Sequence, residues 1–151
     1  MKSSSVVLAC PLCSTHFSHA VKNDASHAQV FGYGLDYRVV PRETNISSDL
    51  AVCPNCFFAS LPDDFHGRIP GHLIDLARSR KYISIFEDRA DGELRAGAWL
   101  AFAMLNEAKG LNPRELAVLT LKGSWVAREL YDVAVEEQLL DRTHRHLDDA
   151  L

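Results

Sequence analysis

Two short cysteine motifs constrain this chain more than any other feature of its sequence. Cys10-Pro11-Leu12-Cys13 and Cys53-Pro54-Asn55-Cys56 are both C-P-x-C motifs, and we call them the first and the second knuckle. Each motif presents two thiolates from one tight bend, and the proline presets the backbone angle of that bend. Two such bends supply the four sulfur ligands of a tetrahedral structural zinc site. The sequence therefore predicts that one Zn²⁺ is bound by Cys10, Cys13, Cys53 and Cys56.

Other uses of these cysteines stay open at the level of sequence. Thiol–disulfide chemistry needs a single C-x-x-C at a strand-to-helix junction, and neither knuckle opens an obvious helix. Structural disulfides would require an oxidising compartment. His16 and His19 follow the first knuckle and could each replace a cysteine as a ligand, although four cysteines already fill a zinc shell.

Length and charge exclude several classes of protein. A chain of 151 residues with 47% hydrophobic and 24% charged residues is expected to form one globular domain, or one with a small annex. Its net charge of −4 argues against bulk electrostatic binding to nucleic acid or to anionic membranes. The apolar run from Val6 to Ala9 is too short for a secretory signal, so we expect a cytoplasmic protein.

The chain divides into two halves of different character, which predicts an α+β fold. Residues 1–66 are rich in His, Ser, Pro and Gly and predict a small zinc ribbon-like half with short strands, the candidates being Val30 to Val40 and Leu50 to Cys53. Residues 67–71 are the predicted linker, and residues 72–151 are the predicted helical half.

Three helices are predicted in the second half. Apolar residues from Leu73 to Phe86 follow a helical period that ends around residues 91–92. A second, almost wholly apolar helix begins near Glu93 and ends at Gly110. Asn112 and Pro113 are typical of the start of a third helix, as cap and first helical residue.

Apolar residues recur every seven positions along the third helix and suggest a surface for a partner. With a basic cluster near the first helix, they form the predicted partner-binding set: Arg78, Arg80, Lys81, Leu119, Val126, Val133 and Leu140. A continuous helix of this kind also allows a homodimer. Two alternatives stay open: residues 116–131 pack on the preceding helices with a solvated tail beyond Glu136, or Gly123-Ser124 divides the helix.

The residues around the knuckles carry a resemblance to a known family. Cys10-Pro11-x-Cys13 with Phe17, then Asp36-Tyr37-Arg38, then Leu50-Ala51-Val52-Cys53-Pro54-x-Cys56-x-Phe58-Ala59 is similar to the bacterial family labelled domain of unknown function 2225. The resemblance extends over residues 8 to 132 and implies two zinc knuckles followed by tetratricopeptide-like helices. The family usually has glycine directly after the second cysteine of a knuckle, where this chain has Ser14 and Phe57.

Together these features predict a non-enzymatic, zinc-stabilised module that binds another protein, with a plain three-helix packing or repeat-like helical hairpins in its second half. One alternative is a nucleic-acid-binding zinc ribbon that uses the basic stretch from Arg68 to Arg95. Another is an enzyme that uses Asp63, Asp64 and His66, which would require an open pocket at those residues.

Overall fold

Short antiparallel hairpins occupy the N-terminal half and helices occupy the rest, which confirms the predicted α+β class. The computed structural model describes residues 4–21, 30–33, 39–41, 50–87, 89 and 94–151. Within those residues there are three two-stranded sheets. No helix among them is long and apolar enough to cross a lipid bilayer.

Each knuckle is the turn of a β-hairpin. The first lies between β1 (Ser4–Ala9) and β2 (His16–Val21), which pair from Ser4↔Val21 to Ala9↔His16. The second lies between β5 (Ala51–Val52) and β6 (Ala59–Ser60). The strand pairing therefore brings the two ends of each C-P-x-C turn together.

The long strand candidate from Val30 to Val40 is wrong as a single strand. The structure has two strands there, β3 (Val30–Tyr33) and β4 (Val39–Pro41), which pair with each other as an antiparallel hairpin. The intervening residues 34–38 lie outside the described residues. The candidate from Leu50 to Cys53 is confirmed in its central residues as β5.

The first predicted helix is interrupted. A 3-10 helix (Pro62–His66) precedes α1 (Gly71–Arg78) and the short α2 (Arg80–Ile83). Ser79 between α1 and α2 is extended, with φ −68° and ψ 151°. Its hydroxyl donates to the Leu76 carbonyl at 2.6 Å and accepts from the Tyr82 amide at 3.3 Å, so one serine terminates α1 and caps α2.

The next two helix boundaries agree with the sequence. Helix α3 (Leu94–Lys109) stops before Gly110, whose φ of +78° is the left-handed conformation that closes helices. Helix α4 (Pro113–Glu129) begins with Asn112 as its cap, and the Asn112 side chain accepts from the Glu115 amide at 3.0 Å. Glu93, near which α3 is predicted to begin, lies outside the described residues.

The third predicted helix is in fact two helices. After α4 the chain turns through Tyr131, whose φ is +58°, and Asp132 caps α5 (Val133–Ala150) by accepting from the Val135 amide at 3.1 Å. Gly123 does not divide the helix. A β-carbon there would come within 3.1 Å of Trp99 and 3.2 Å of Leu139, so the glycine allows close approach of α3 and α5 to α4.

The seven-residue repeat consequently does not run along one helix face. Val126 is fully buried and therefore cannot be part of a partner surface, which corrects that assignment. Leu119 and Leu140 are half-buried, whereas Val133 is exposed at the start of α5. The chain beyond Glu136 is also not a solvated tail, because Leu139 is fully buried on α5.

Helices α4 and α5 form an antiparallel pair. The hydroxyls of Thr120 and Thr143 are 2.8 Å apart inside the pair, and Arg128 contacts Glu136 at 2.7 Å near the turn. A single core cluster contains residues from the hairpins as well as from α1, α3, α4 and α5. The domain boundary at residues 67–71 and the tetratricopeptide-like arrangement stay predictions.

Candidate metal centre

The two knuckles have the same backbone hydrogen-bonding pattern. In the first, the Ser14 amide donates to the Cys10 carbonyl at 2.8 Å and the Cys10 amide donates to the Thr15 carbonyl at 2.8 Å. In the second, the equivalent pair joins Phe57 to Cys53 at 2.9 Å and Cys53 to Phe58 at 2.9 Å. Each bend therefore directs its two thiols to the same side.

The first cysteine of each knuckle lies next to the second cysteine of the other knuckle. Cys10 Sγ lies 3.5 Å from Cys56 Sγ, and Cys13 Sγ lies 3.6 Å from Cys53 Sγ. All four sulfurs are within 4.8 Å of one another. Zinc–sulfur bonds of about 2.3 Å in a tetrahedron would separate neighbouring sulfurs by about 3.8 Å. The donor set and its spacing therefore fit a tetrahedral metal ion bound by four thiolates.

The residue after the second cysteine has the same unusual conformation in both knuckles. Ser14 has φ +64° and Phe57 has φ +62°, in the left-handed region where a side chain costs about 1–2 kcal/mol relative to glycine. These are the two positions at which the resemblance noted in the sequence implies glycine. The Phe57 ring stacks on Phe86 at 5.1 Å between centroids and 10° between planes, which offsets the backbone strain. Ser14 is exposed.

Burial and local hydrogen bonds act differently on the thiols. Cys10 and Cys53 are buried, and Cys13 and Cys56 are half-buried. Burial raises the pKa of Cys10 and of Cys56. At Cys13 burial acts in the same direction, but hydrogen bonding with the Thr15 and Asn55 side chains outweighs it and lowers the pKa to about 6. A divalent cation among the four sulfurs would favour the thiolate at every position.

Tyr82 on α2 is hydrogen-bonded to the backbone that directly follows the second knuckle. The sequence did not predict this role. The buried Tyr82 hydroxyl donates to the Phe57 carbonyl at 3.0 Å and accepts from the Ala59 amide at 3.0 Å. These two bonds fix the backbone of residues 57–59, which follow Cys56 in the sequence. No sequence pattern predicts this role, because a tyrosine on the apolar face of a helix is typical of any hydrophobic core.

The histidines near the first knuckle lie outside the sulfur cluster. Among the described residues, the group that could hold a metal ion contains the four cysteines alone. His16 is exposed on β2 and His19 is half-buried on the same strand. Burial lowers the pKa of His19.

The basic members of the predicted partner-binding set lie around α1 and α2. Arg78 and Lys81 are exposed, and Arg80 pairs with Glu87 at 2.6 Å. Of the apolar members, Val133 alone is highly exposed, at 62%. The structure does not bring these residues together with the cysteine cluster.

Comparison with known proteins identifies the family of this chain. No curated protein and no solved structure matches the chain. A family model described as an uncharacterised protein conserved in bacteria, domain of unknown function 2225, matches residues 5–151. The match includes α5 and so extends beyond the stretch from 8 to 132 that carried the resemblance in sequence. The chain therefore belongs to this bacterial family.

Proposed function

We propose that this protein is a non-enzymatic, zinc-stabilised module that binds another protein. The observation that carries the metal part of the proposal is the cluster of four thiols whose sulfur atoms all lie within 4.8 Å of one another. Zinc is the metal that such a set most commonly binds in proteins, and four thiolates leave it no open position for a water or a substrate. The metal then stabilises the fold and has no catalytic role.

Metal analysis tests the identity of the ion. Protein purified from cells grown without metal supplements should contain about one equivalent of zinc per chain, as a closed structural site does. Replacing Cys53, which is fully buried, by serine should remove the zinc, whereas replacing the exposed Ser14 by alanine should keep it. Less than about half an equivalent in the wild-type protein, or another metal in its place, would contradict the proposal.

The turn between α4 and α5 supports the protein-binding part. Tyr131 is 91% exposed there, although its φ of +58° would suit glycine or asparagine better. Val133, two residues later, is 62% exposed. The Tyr131 backbone is therefore in the left-handed region although the ring is not buried in the chain's own core. Tyrosine is one of the three side chains that most often anchor a protein partner, and Val133 adds apolar surface beside it.

The nucleic-acid alternative is not favoured by the basic stretch. Arg80 is paired with Glu87, and Arg89 is paired with Asp132 across to the start of α5. A surface for phosphates needs cations that are free to displace counterions. Two of the stretch's arginines are already bound to carboxylates of the same chain.

A capture experiment from the native cell tests the protein-binding part. The full, metal-loaded chain is immobilised in three forms: wild type, the double variant Tyr131→Ser/Val133→Ser, and Val118→Ser as the matched control. Val118 is 70% exposed on α4, outside the turn. Wild type and control should retain the same partner and the double variant should lose it, because truncated anchors cost about 2 kcal/mol or more.

Two results would overturn this part of the proposal. One is retention of the same partner by all three forms. The other is the absence of any specific partner together with a monomer in size-exclusion chromatography with light scattering. A dimer that the double variant dissociates would identify the partner as a second copy of the chain.

A further inference from the structure

A cavity of about 240 Å³ lies between β6, the 3-10 helix, α1 and the end of α3. Its apolar wall includes Phe58, Leu73 and Leu105, all of which are buried side chains. The volume is below the range of about 300–1,000 Å³ that drug-sized ligands occupy. A ligand there would have the size of a single amino acid.

Charged side chains of both signs line this cavity. Asp63 and Asp64 come from the 3-10 helix, Arg68 from the segment that follows it, and Lys109 from the last turn of α3. Within the described part of the chain, none of the four forms an ion pair. Charges on the helices do pair, as Arg142 and Glu107 do. The cavity therefore brings together two anions and two cations that do not neutralise each other directly.

One of the carboxylates is held in a fixed orientation. The hydroxyl of Ser60, which is only 2% exposed, donates to Asp64 Oδ2 at 2.5 Å. A short hydrogen bond to an ionised carboxylate is among the stronger hydrogen bonds in proteins. It uses one oxygen of Asp64, and the other oxygen remains to accept a hydrogen bond from a ligand.

We propose that this cavity binds a small zwitterion with an apolar side chain, which is the chemistry of an apolar α-amino acid. The carboxylates of Asp63 and Asp64 accept hydrogen bonds from the ligand's ammonium group. Arg68 and Lys109 bind its carboxylate, and the apolar wall packs on its side chain. The proposal is independent of the partner-binding turn, because Tyr131 and Val133 do not line the cavity.

NMR titration of the full, zinc-loaded chain tests the proposal. Gly67 lines the cavity with no side chain of its own, so its backbone amide is a suitable reporter. Leucine, valine and methionine are titrated separately to about 50 mM, which detects even millimolar dissociation constants. At least one of them should shift the Gly67 amide with a saturable curve.

Matched analogues and variants then separate charge recognition from apolar contact. Two analogues of the bound amino acid are compared with it: its carboxamide, which lacks the carboxylate, and the carboxylic acid without the amino group, which lacks the ammonium. Each should bind at least about tenfold more weakly. Asp64→Asn and Lys109→Gln should weaken binding to a similar extent. Arg145→Gln, at an exposed position on α5 that does not line the cavity, should leave it unchanged.

Three results would overturn the proposal: no saturable shift with any of the amino acids, equal binding of the amino acid and both analogues, or unchanged binding by both cavity variants. Lys109 lies at the exposed end of α3, so Lys109→Gln keeps the test decisive even if Asp64→Asn disturbs the fold.

Discussion

Replacing Tyr82 by phenylalanine should destabilise the protein although the ring itself is kept. The Tyr82 hydroxyl is bonded to the Phe57 carbonyl and the Ala59 amide, each at 3.0 Å, and both Tyr82 and Ala59 are fully buried. Tyr82→Phe leaves the half-buried Phe57 carbonyl and the buried Ala59 amide without this partner. A fully buried loss costs about 1–3 kcal/mol and the half-buried Phe57 carbonyl about 1 kcal/mol, so we expect the free energy of unfolding to fall by about 2–4 kcal/mol. That is a large part of the 5–15 kcal/mol typical of a domain.

Urea unfolding of the zinc-loaded protein, followed by circular dichroism, measures this loss. Tyr131→Phe is the matched control, because the Tyr131 side chain is 91% exposed and the same hydroxyl is removed there. The control should unfold within about 0.5 kcal/mol of wild type. If Tyr82→Phe behaves like the control, the two hydrogen bonds do not support the second knuckle and the reasoning is wrong.

Three further changes probe the knuckles and the helical half by the same measurement. Ser14→Gly should stabilise the protein by about 0.5–1 kcal/mol, since relief of the left-handed strain exceeds the entropic cost of glycine; a loss of stability would contradict the strain argument. Phe57→Gly should instead destabilise it by about 1–3 kcal/mol, because the ring stacked on Phe86 is lost; a gain equal to that of Ser14→Gly would show that the stack contributes nothing. Asn112→Ala should cost about 1 kcal/mol through the lost cap of α4, and an unchanged midpoint would mean that water replaces the cap.

The sequence was most informative where a local rule decides the structure. The C-P-x-C spacing predicted that the four sulfur atoms form one cluster, because a tight bend directs both of its thiols to the same side. Gly110 and Asn112 predicted the turn between α3 and α4, because caps and left-handed closures act within a few residues. The α+β class followed from the change of pattern between the two halves.

Long-range contacts decided the features that the sequence did not predict. Gly123 resembles a helix breaker, yet α4 continues through it. A side chain is excluded at this position because Trp99 and Leu139 occupy the space that it would need. The actual break is at Tyr131, a residue that sequence rules do not associate with a left-handed turn. Tyr82 acts on a knuckle more than twenty residues away along the chain, and no local pattern encodes such a pairing.

The two knuckles are alike in backbone but not in how they attach to the rest of the protein. The second knuckle is bonded to Tyr82 on α2, and its Phe57 ring stacks on Phe86, three residues after α2 ends. Val52 and Ala59, the strand pair next to this knuckle, are at least half-buried. The hairpin of the first knuckle has one buried residue on β1, Leu8. Phe17 adds an edge contact to Phe65 at 5.6 Å. A metal ion bound by the four cysteines would therefore contribute more to holding the first hairpin than the second.

Hydrogen exchange with and without the metal tests this asymmetry. Removing the proposed zinc with a chelator would withdraw a binding free energy that is also folding free energy, about 10–16 kcal/mol for comparable sites. The amides of β1 and β2 should then lose protection first, since few buried side chains hold that hairpin. The amides of β5 and β6 should stay more protected, because Tyr82 and Phe86 still hold the second knuckle. Equal loss in both hairpins would show that the metal, and not α2, determines the stability of the second knuckle as well.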